Sequence, residues 1–141
     1  GSYDQTPDFI IMIYGETPYA EGEGDINNLD FSSSNLNIIK NMKNFSDKKI
    51  PIISLFITGR PLIVDQELEL SNAFVSIWHP GTAVEGINDV IFSYKNNSIN
   101  YDFKGKLPYS WPSRSSINPL NVGTKDYNPL FEYGYGLSYQ D

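Results

Sequence analysis

Residues 9–25 read FIIMIYGETPYAEGEGD. Phe9 to Tyr14 are unbroken apolar and rich in β-branched side chains, and the segment after them carries Glu16, Glu21, Glu23 and Asp25. A continuous apolar run suits a strand covered on both faces, whereas an alternating run suits a strand with one wet face. Two later runs have the same character: Ile50 to Ile57 (IPIISLFI), with Pro51 near its start, and Ala73 to Trp78 (AFVSIW). Between the first two, Ser34 to Phe45 places Leu36, Ile39, Met42 and Phe45 at every third position, a helical stripe, and Ser32, Ser33 or Ser34 is available to cap its first turn. Val64 to Leu70 (VDQELEL) reads as a short helix, and Thr82 to Phe92 has helical spacing in Val84, Ile87, Val90 and Ile91. Strand and helix in alternation imply an α/β fold: parallel strands joined by right-handed crossovers.

The last third differs. Ser93 to Asp102 is polar and reads as a surface excursion. Gly105 to Trp111 (GKLPYSW) reads as a strand, with Pro108 confining it to an edge. The tail PLFEYGYGLSYQD, rich in Gly and Tyr, lacks a regular pattern, and its aromatics suggest that it packs down.

The chain has 141 residues, enough for a domain with a real core, and 40% apolar against 19% charged residues is a globular balance. Seventeen acidic and ten basic residues give a net charge of −7, which argues against a nucleic-acid binder. Without cysteine there is no disulfide framework and no thiolate metal site. No apolar run approaches the ~18 residues of a membrane span, and no signal peptide is legible at the start. The expectation is therefore no membrane and no nucleic acid as partner. No cofactor is called for: GEGD lacks the Lys-Ser/Thr and the glycine spacing of a phosphate loop, and residues 25–30 miss the Gly and terminal Glu of a calcium loop.

Parallel strands share one carboxyl edge, and ligands bind in the crevice beyond it. The segments after the three strands therefore belong together: GETPYAEGEGD, then Thr58-Gly59-Arg60-Pro61, then Trp78-His79-Pro80-Gly81-Thr82. This gathers Glu16, Glu21, Glu23, Asp25, Arg60, Trp78 and His79 on one rim. Crowded carboxylates raise one another's pKa, which suits acid/base chemistry. The same Pro, Gly and Asp residues also make an ordinary solvated turn. Arg60 reads either as an anchor for a hydroxyl-rich or anionic ligand or as the partner of a rim carboxylate. His79, the single histidine, reads as a turn residue or a site residue, and Trp78 as core or as a sugar platform.

GETPYAEGEGD, ITGRPLIV, WHPGT, GKLPYSWP and PLFEYGYGLSY occur in that order over nearly the whole chain. Together they resemble the C-terminal α/β-sandwich domain of glycoside hydrolase family 3, the β-glucosidases and exo-β-glucan glucohydrolases. The resemblance implies a three-layer sandwich on a mostly parallel, flavodoxin-like sheet with an antiparallel edge strand near the C-terminus, residues 1–141 forming one such domain. It implies retaining hydrolysis of β-linked glucosides, with an aspartate nucleophile from an N-terminal barrel and a general acid/base glutamate from this domain. That glutamate lies two residues after the Tyr of Gly-Glu-x-Pro-Tyr, which is Glu21 following Tyr19. Glu16, Tyr19, Glu23, Asp25, Arg60, Trp78 and His79 are then substrate-binding or loop-supporting residues.

Departures from the pattern carry expectations of their own. The barrel with its nucleophile, and the opening part of the sandwich, have no counterpart in this sequence, so the chain alone is expected to be inactive. The partner it needs is a β-linked glucoside or glucan held with that barrel. A strand starting at Phe9 would lack a neighbour or a covering helix, leaving an exposed apolar surface that invites self-association through that edge. The family commonly has a tighter Gly-containing turn where Ser93 to Asp102 stands, and Gly-Gly at Val84-Glu85. A non-catalytic carbohydrate-binding or structural accessory domain is the alternative reading. The compartment is not legible here, with a periplasmic or secreted parent as the expectation.

Overall fold

A computed structural model describes residues 6–116 and 119–141, and the chain divides into two compact units, Gly1–His79 and Pro80–Asp141. The first holds a parallel sheet of β1 (Ile10–Gly15), β2 (Ile52–Ile57) and β3 (Ala73–Ser76) in the order β1-β2-β3. Helices α1 (Phe31–Ser34) and α2 (Leu36–Asp47) join β1 to β2, and α3 (Asp65–Leu70) joins β2 to β3. The register pairs Ile10 with Ile52 and Gly15 with Ile57, so β1 and β2 end side by side. This is the α/β architecture that the alternation of apolar runs predicts.

β2 is covered on both faces: Ile52, Ser54, Leu55 and Phe56 are buried. Around it Tyr14, Phe31, Phe56 and Phe74 form an aromatic cluster with neighbouring ring centroids 5.0–6.1 Å apart. β1 departs from the expectation of two covered faces. Tyr14 is buried, but Ile13, on the opposite face, is 64% exposed, and β1 pairs with β2 alone among the described residues, in keeping with the expected lack of a neighbour or covering element.

The helical region also departs from its expected start and cap. A short turn of helix precedes α2, and Asp30, not a serine, caps it by accepting from the Ser33 backbone N–H at 3.1 Å. Ser32 serves another purpose: its buried hydroxyl donates to Glu67 at 2.6 Å. In α2, Ile39 and Met42 face the core, whereas Leu36 is 66% exposed although the stripe would turn it inward. α3 buries Glu67 completely. Burial pushes the Glu67 carboxyl above its ordinary range, the Ser32 hydrogen bond lowers it in part, and the charges of Asp30 and Asp65 raise it further.

In the second unit α4 (Glu85–Ile91) is shorter than the helical spacing suggests. Residues 93–98 turn at the surface, with the Asn97 N–H donating to the Tyr94 carbonyl at 2.8 Å. The expected antiparallel pairing near the C-terminus is interrupted. Leu107 exchanges backbone bonds with Gly134 and Tyr135, and Trp111 bridges Phe131, with Pro108 between the two contacts. Proline has no N–H to extend the ladder. The tail packs at defined points: Phe131 stacks on Tyr135 at 4.5 Å, and Tyr139 lies 5.3 Å from Phe103. Among the described residues no helix is long and apolar enough to cross a membrane.

Candidate active-site loop

β1 delivers the acidic loop to the carboxyl edge through Gly15. A Cβ on Gly15 would lie 1.9 Å from the Ile57 carbonyl oxygen, so the strands approach too closely there for any side chain. The ladder continues one residue further, the Glu16 N–H donating to Ile57 O at 3.0 Å. The Glu16 carboxylate folds back over the segment after β2. It accepts from the Thr58 hydroxyl at 2.9 Å and the Gly59 N–H at 2.9 Å, and pairs with Arg60 Nε at 3.3 Å.

Arg60 holds three parts of the loop at once. Nε is on Glu16, Nη1 donates to the Gly24 carbonyl, and the guanidinium carbon lies 3.9 Å from the centre of the Tyr19 ring. The planar guanidinium suits this combination of donors and stacked face. Two glycines make room for the ring. A Cβ on Gly24 would sit 2.1 Å from a Tyr19 ring carbon, and one on Gly59 would sit 2.6 Å from the Tyr19 hydroxyl and 3.0 Å from His79 Nε2. The His79 ring stands edge-on to Tyr19 with centroids 6.1 Å apart. The end of the loop closes on itself: the Gly24 N–H donates to Ala20 O at 3.1 Å and the Asp25 N–H to Gly22 O at 3.2 Å.

The result is an open cleft of about 280 Å³ lined by Tyr19, Ala20, Glu21, Gly22, Gly24, Asp25 and Arg60. Glu21 stands exposed between the two arginine-held feet, Glu16 and Gly24. Asp25 lines the same cleft. Glu23 is exposed and is not among the lining residues. Trp78 is also outside the lining. It follows β3 with φ +53°, a left-handed backbone costly for a bulky residue and found mostly at functional or constrained sites.

Of the expected rim residues, Glu16, Tyr19, Arg60 and His79 thus form one chain of contacts, with Glu21 and Asp25 beside it. Sequence reading missed the parts played by Thr58, Gly24 and Gly59. Their signal was present in the motif ITGRP and in the second glycine of GEGD, where a side chain would collide with Tyr19. A second open cleft, of about 360 Å³, lies along residues 130–135 in the other unit and is made by that one stretch of chain.

A parallel sheet with a carboxylate-rich, arginine-pinned loop at its carboxyl edge is an α/β domain whose acidic groups lie at the edge where such sheets bind ligands. The description "Glycosyl hydrolase family 3 C-terminal domain" matches residues 2–139, and the chain belongs to that family. A crystal structure of an exo-1,3/1,4-β-glucanase from a Pseudoalteromonas species superposes with a TM-score of 0.93 at 44% identity, over all of this chain and 18% of that one. A lysosomal β-glucosidase of Dictyostelium discoideum is 28% identical over 96% of this chain and 16% of its own length. A periplasmic β-glucosidase of Salmonella typhimurium is 28% identical over 94% of this chain and 19% of its own. The chain therefore spans less than a fifth of the curated relatives it matches.

Proposed function

We propose that this domain supplies the general acid/base carboxylate, Glu21, to a retaining β-glucosidase or exo-β-glucan hydrolase that releases terminal β-glucosyl residues. The observation that carries the reading is the placement of Glu21, exposed on a cleft at the sheet's carboxyl edge between two pinned loop feet. Retaining hydrolysis uses two carboxyl groups ~5–5.5 Å apart, one on each side of the scissile bond. The nucleophile comes from an N-terminal barrel in the longer protein. Protonated Glu21 gives its proton to the glycosidic oxygen as the bond from that oxygen to the anomeric carbon breaks and the nucleophile's bond to that carbon forms. The resulting Glu21 carboxylate then takes a proton from water, whose oxygen displaces the nucleophile and releases glucose. The Glu16 carboxylate, held by Arg60, supports the loop and does not itself react.

On this reading the 141-residue chain alone does not hydrolyse glycosides. The test is an assay on phenyl β-glucoside, whose leaving group needs protonation, of the chain, of the full-length protein that carries it, and of full-length Glu21→Gln. Activity is expected only in the full-length wild type. Turnover by the chain alone, or undiminished turnover by Glu21→Gln, overturns the assignment. Two further proposals follow from the same reading. The longer protein acts in a periplasmic or secreted compartment, supported by the name of the Salmonella relative. The isolated chain self-associates through β1, supported by the exposure of Phe9 and Ile13.

A further inference from the structure

We infer that Arg60 is the positioning residue for Glu21, acting through the Tyr19 ring and the two feet of the loop and making no contact with the sugar. The inference rests on the reading of Glu21 as acid/base. Its physical basis is the way the guanidinium is used. One edge meets Glu16 at the start of the loop and another meets the Gly24 carbonyl at its end, while its face covers Tyr19 between them. Glu21 lies within the segment thus bracketed. Without these ties, residues 16–24 keep few bonds to the sheet beyond the Glu16 N–H and the two donors, Thr58 and Gly59, on the Glu16 carboxylate.

Tyr19 is the element that transmits the constraint. Its ring occupies a slot that exists because Gly24 and Gly59 have no side chains, with Arg60 over its face and His79 at its edge. Lysine at position 60 would keep the positive charge near Glu16 but has neither the fork nor the planar face. A proton transfer is sensitive to such placement, because donor and acceptor must come within hydrogen-bond reach. An arginine that bound sugar would affect every substrate carrying the same glucosyl group. One that positions the acid affects substrates according to how much protonation their leaving group needs.

The experiment uses the full-length enzyme and two substrates, 2,4-dinitrophenyl and phenyl β-glucoside, with free glucose as a competitive inhibitor. For Arg60→Ala, kcat/KM on the phenyl glucoside is expected to fall about 100-fold or more, near the lower end of what general acid catalysis contributes. On the dinitrophenyl glucoside, whose leaving group needs no proton, it should stay within about fivefold, and glucose inhibition should be unchanged. Arg60→Lys should show the same split. Gly24→Ala, which removes no charge, should show it too by displacing Tyr19, and it serves as the test if Arg60→Ala does not fold. Equal losses on both substrates, recovery by Arg60→Lys, or weakened glucose inhibition overturns the inference. Glu21→Ala separates the two levels: if it lacks the split, the acid/base reading fails and the inference with it; if it shows the split and the Arg60 and Gly24 variants do not, only the inference fails.

Discussion

The Ser32 hydroxyl donates to a Glu67 carboxylate oxygen across 2.6 Å in the interior of the first unit, and the other carboxylate oxygen is buried without a hydrogen-bond partner. Among the described residues no cation is paired with Glu67, so its ionisation works against folding. Burial raises its pKa above the ordinary 4.5, and the carboxylates of Asp30 and Asp65 add to the rise. The folded chain therefore holds a proton that the unfolded chain releases between these two values. Stability from this group is fully present below about pH 4 and is lost as pH rises through the folded-state value. Glu67→Gln mimics the protonated form. Its thermal midpoint should track the wild type near pH 4 and exceed it increasingly toward pH 8, as measured by melting over a pH series. Parallel curves across the whole series would show that Glu67 does not retain its proton on folding.

A second prediction concerns the line of hydroxyls beside it. Tyr14 donates to Ser54 at 3.0 Å, Ser54 and Ser71 are 2.7 Å apart, and Ser71 donates to the Glu67 carbonyl at 2.6 Å. Burial pushes the Tyr14 phenol up to about 12, with the Ser54 bond lowering it and the Glu67 charge raising it. Tyr14→Phe removes the first donor and leaves Ser54 and Ser71 bonded to each other, a cost of about 1 kcal/mol. Ser54→Ala removes the middle member and strands the buried phenol, a cost of roughly 1–3 kcal/mol. Denaturant unfolding should therefore rank Ser54→Ala as the more destabilised variant. The reverse order would mean that the hydroxyls do not act as a connected line.

These two interior features mark the boundary of what the sequence shows. Parallel strands and their crossovers were legible because β2 carries apolar side chains on both faces and its neighbours have a similar composition. Glu67 was not, since DQELEL has the polarity of a solvated helix and nothing local reveals that Ser32, thirty-five residues away, will meet it. The exposure of Ile13 is not legible in the apolar run itself, since an edge strand and a central strand of the same composition look alike; it was expected only from the resemblance to a longer sandwich. The acidic loop was legible as a place, because any segment following a parallel strand must lie at the carboxyl edge. The bonding within it was not. The pairing of Arg60 with Glu16 was one of its two sequence readings, and its contacts with the Gly24 carbonyl and the Tyr19 ring had no signal in the sequence.

The third prediction tests the root of that loop. A Cβ at Gly15 would fall 1.9 Å from the Ile57 oxygen and 2.6 Å from the Ile57 carbonyl carbon, both backbone atoms of the paired strand. Neither is the tip of a flexible side chain, so Gly15→Ala must part the ends of β1 and β2. Such overpacking costs about 1–3 kcal/mol. The strain should also speed hydrogen exchange at the Glu16 amide, which donates to Ile57 O. By contrast Gly22, at φ +80° with open space around it, should cost about 1–2 kcal/mol on substitution by alanine, through its left-handed backbone alone. Exchange rates and urea midpoints of the two variants separate the mechanisms: only Gly15→Ala should loosen Glu16.

The last prediction follows from the edge of β1 that is unpaired among the described residues. Its residues pair with β2 on one side, while Ile13 is 64% and Phe9 46% exposed. An exposed apolar edge strand is a template for pairing with another chain, and lysine is a common natural deterrent. Sedimentation of the 141-residue chain over a concentration series should show self-association at micromolar protein, and Ile13→Lys should weaken it at least tenfold with little change in melting temperature. On the reading that a neighbouring element of a longer protein covers this edge, the same substitution should there lower the melting temperature, because the charge would be buried without a partner. A chain that stays monomeric to high concentration would show that β1 tolerates its open edge unaided. A longer protein indifferent to Ile13→Lys would show that nothing covers that side chain there.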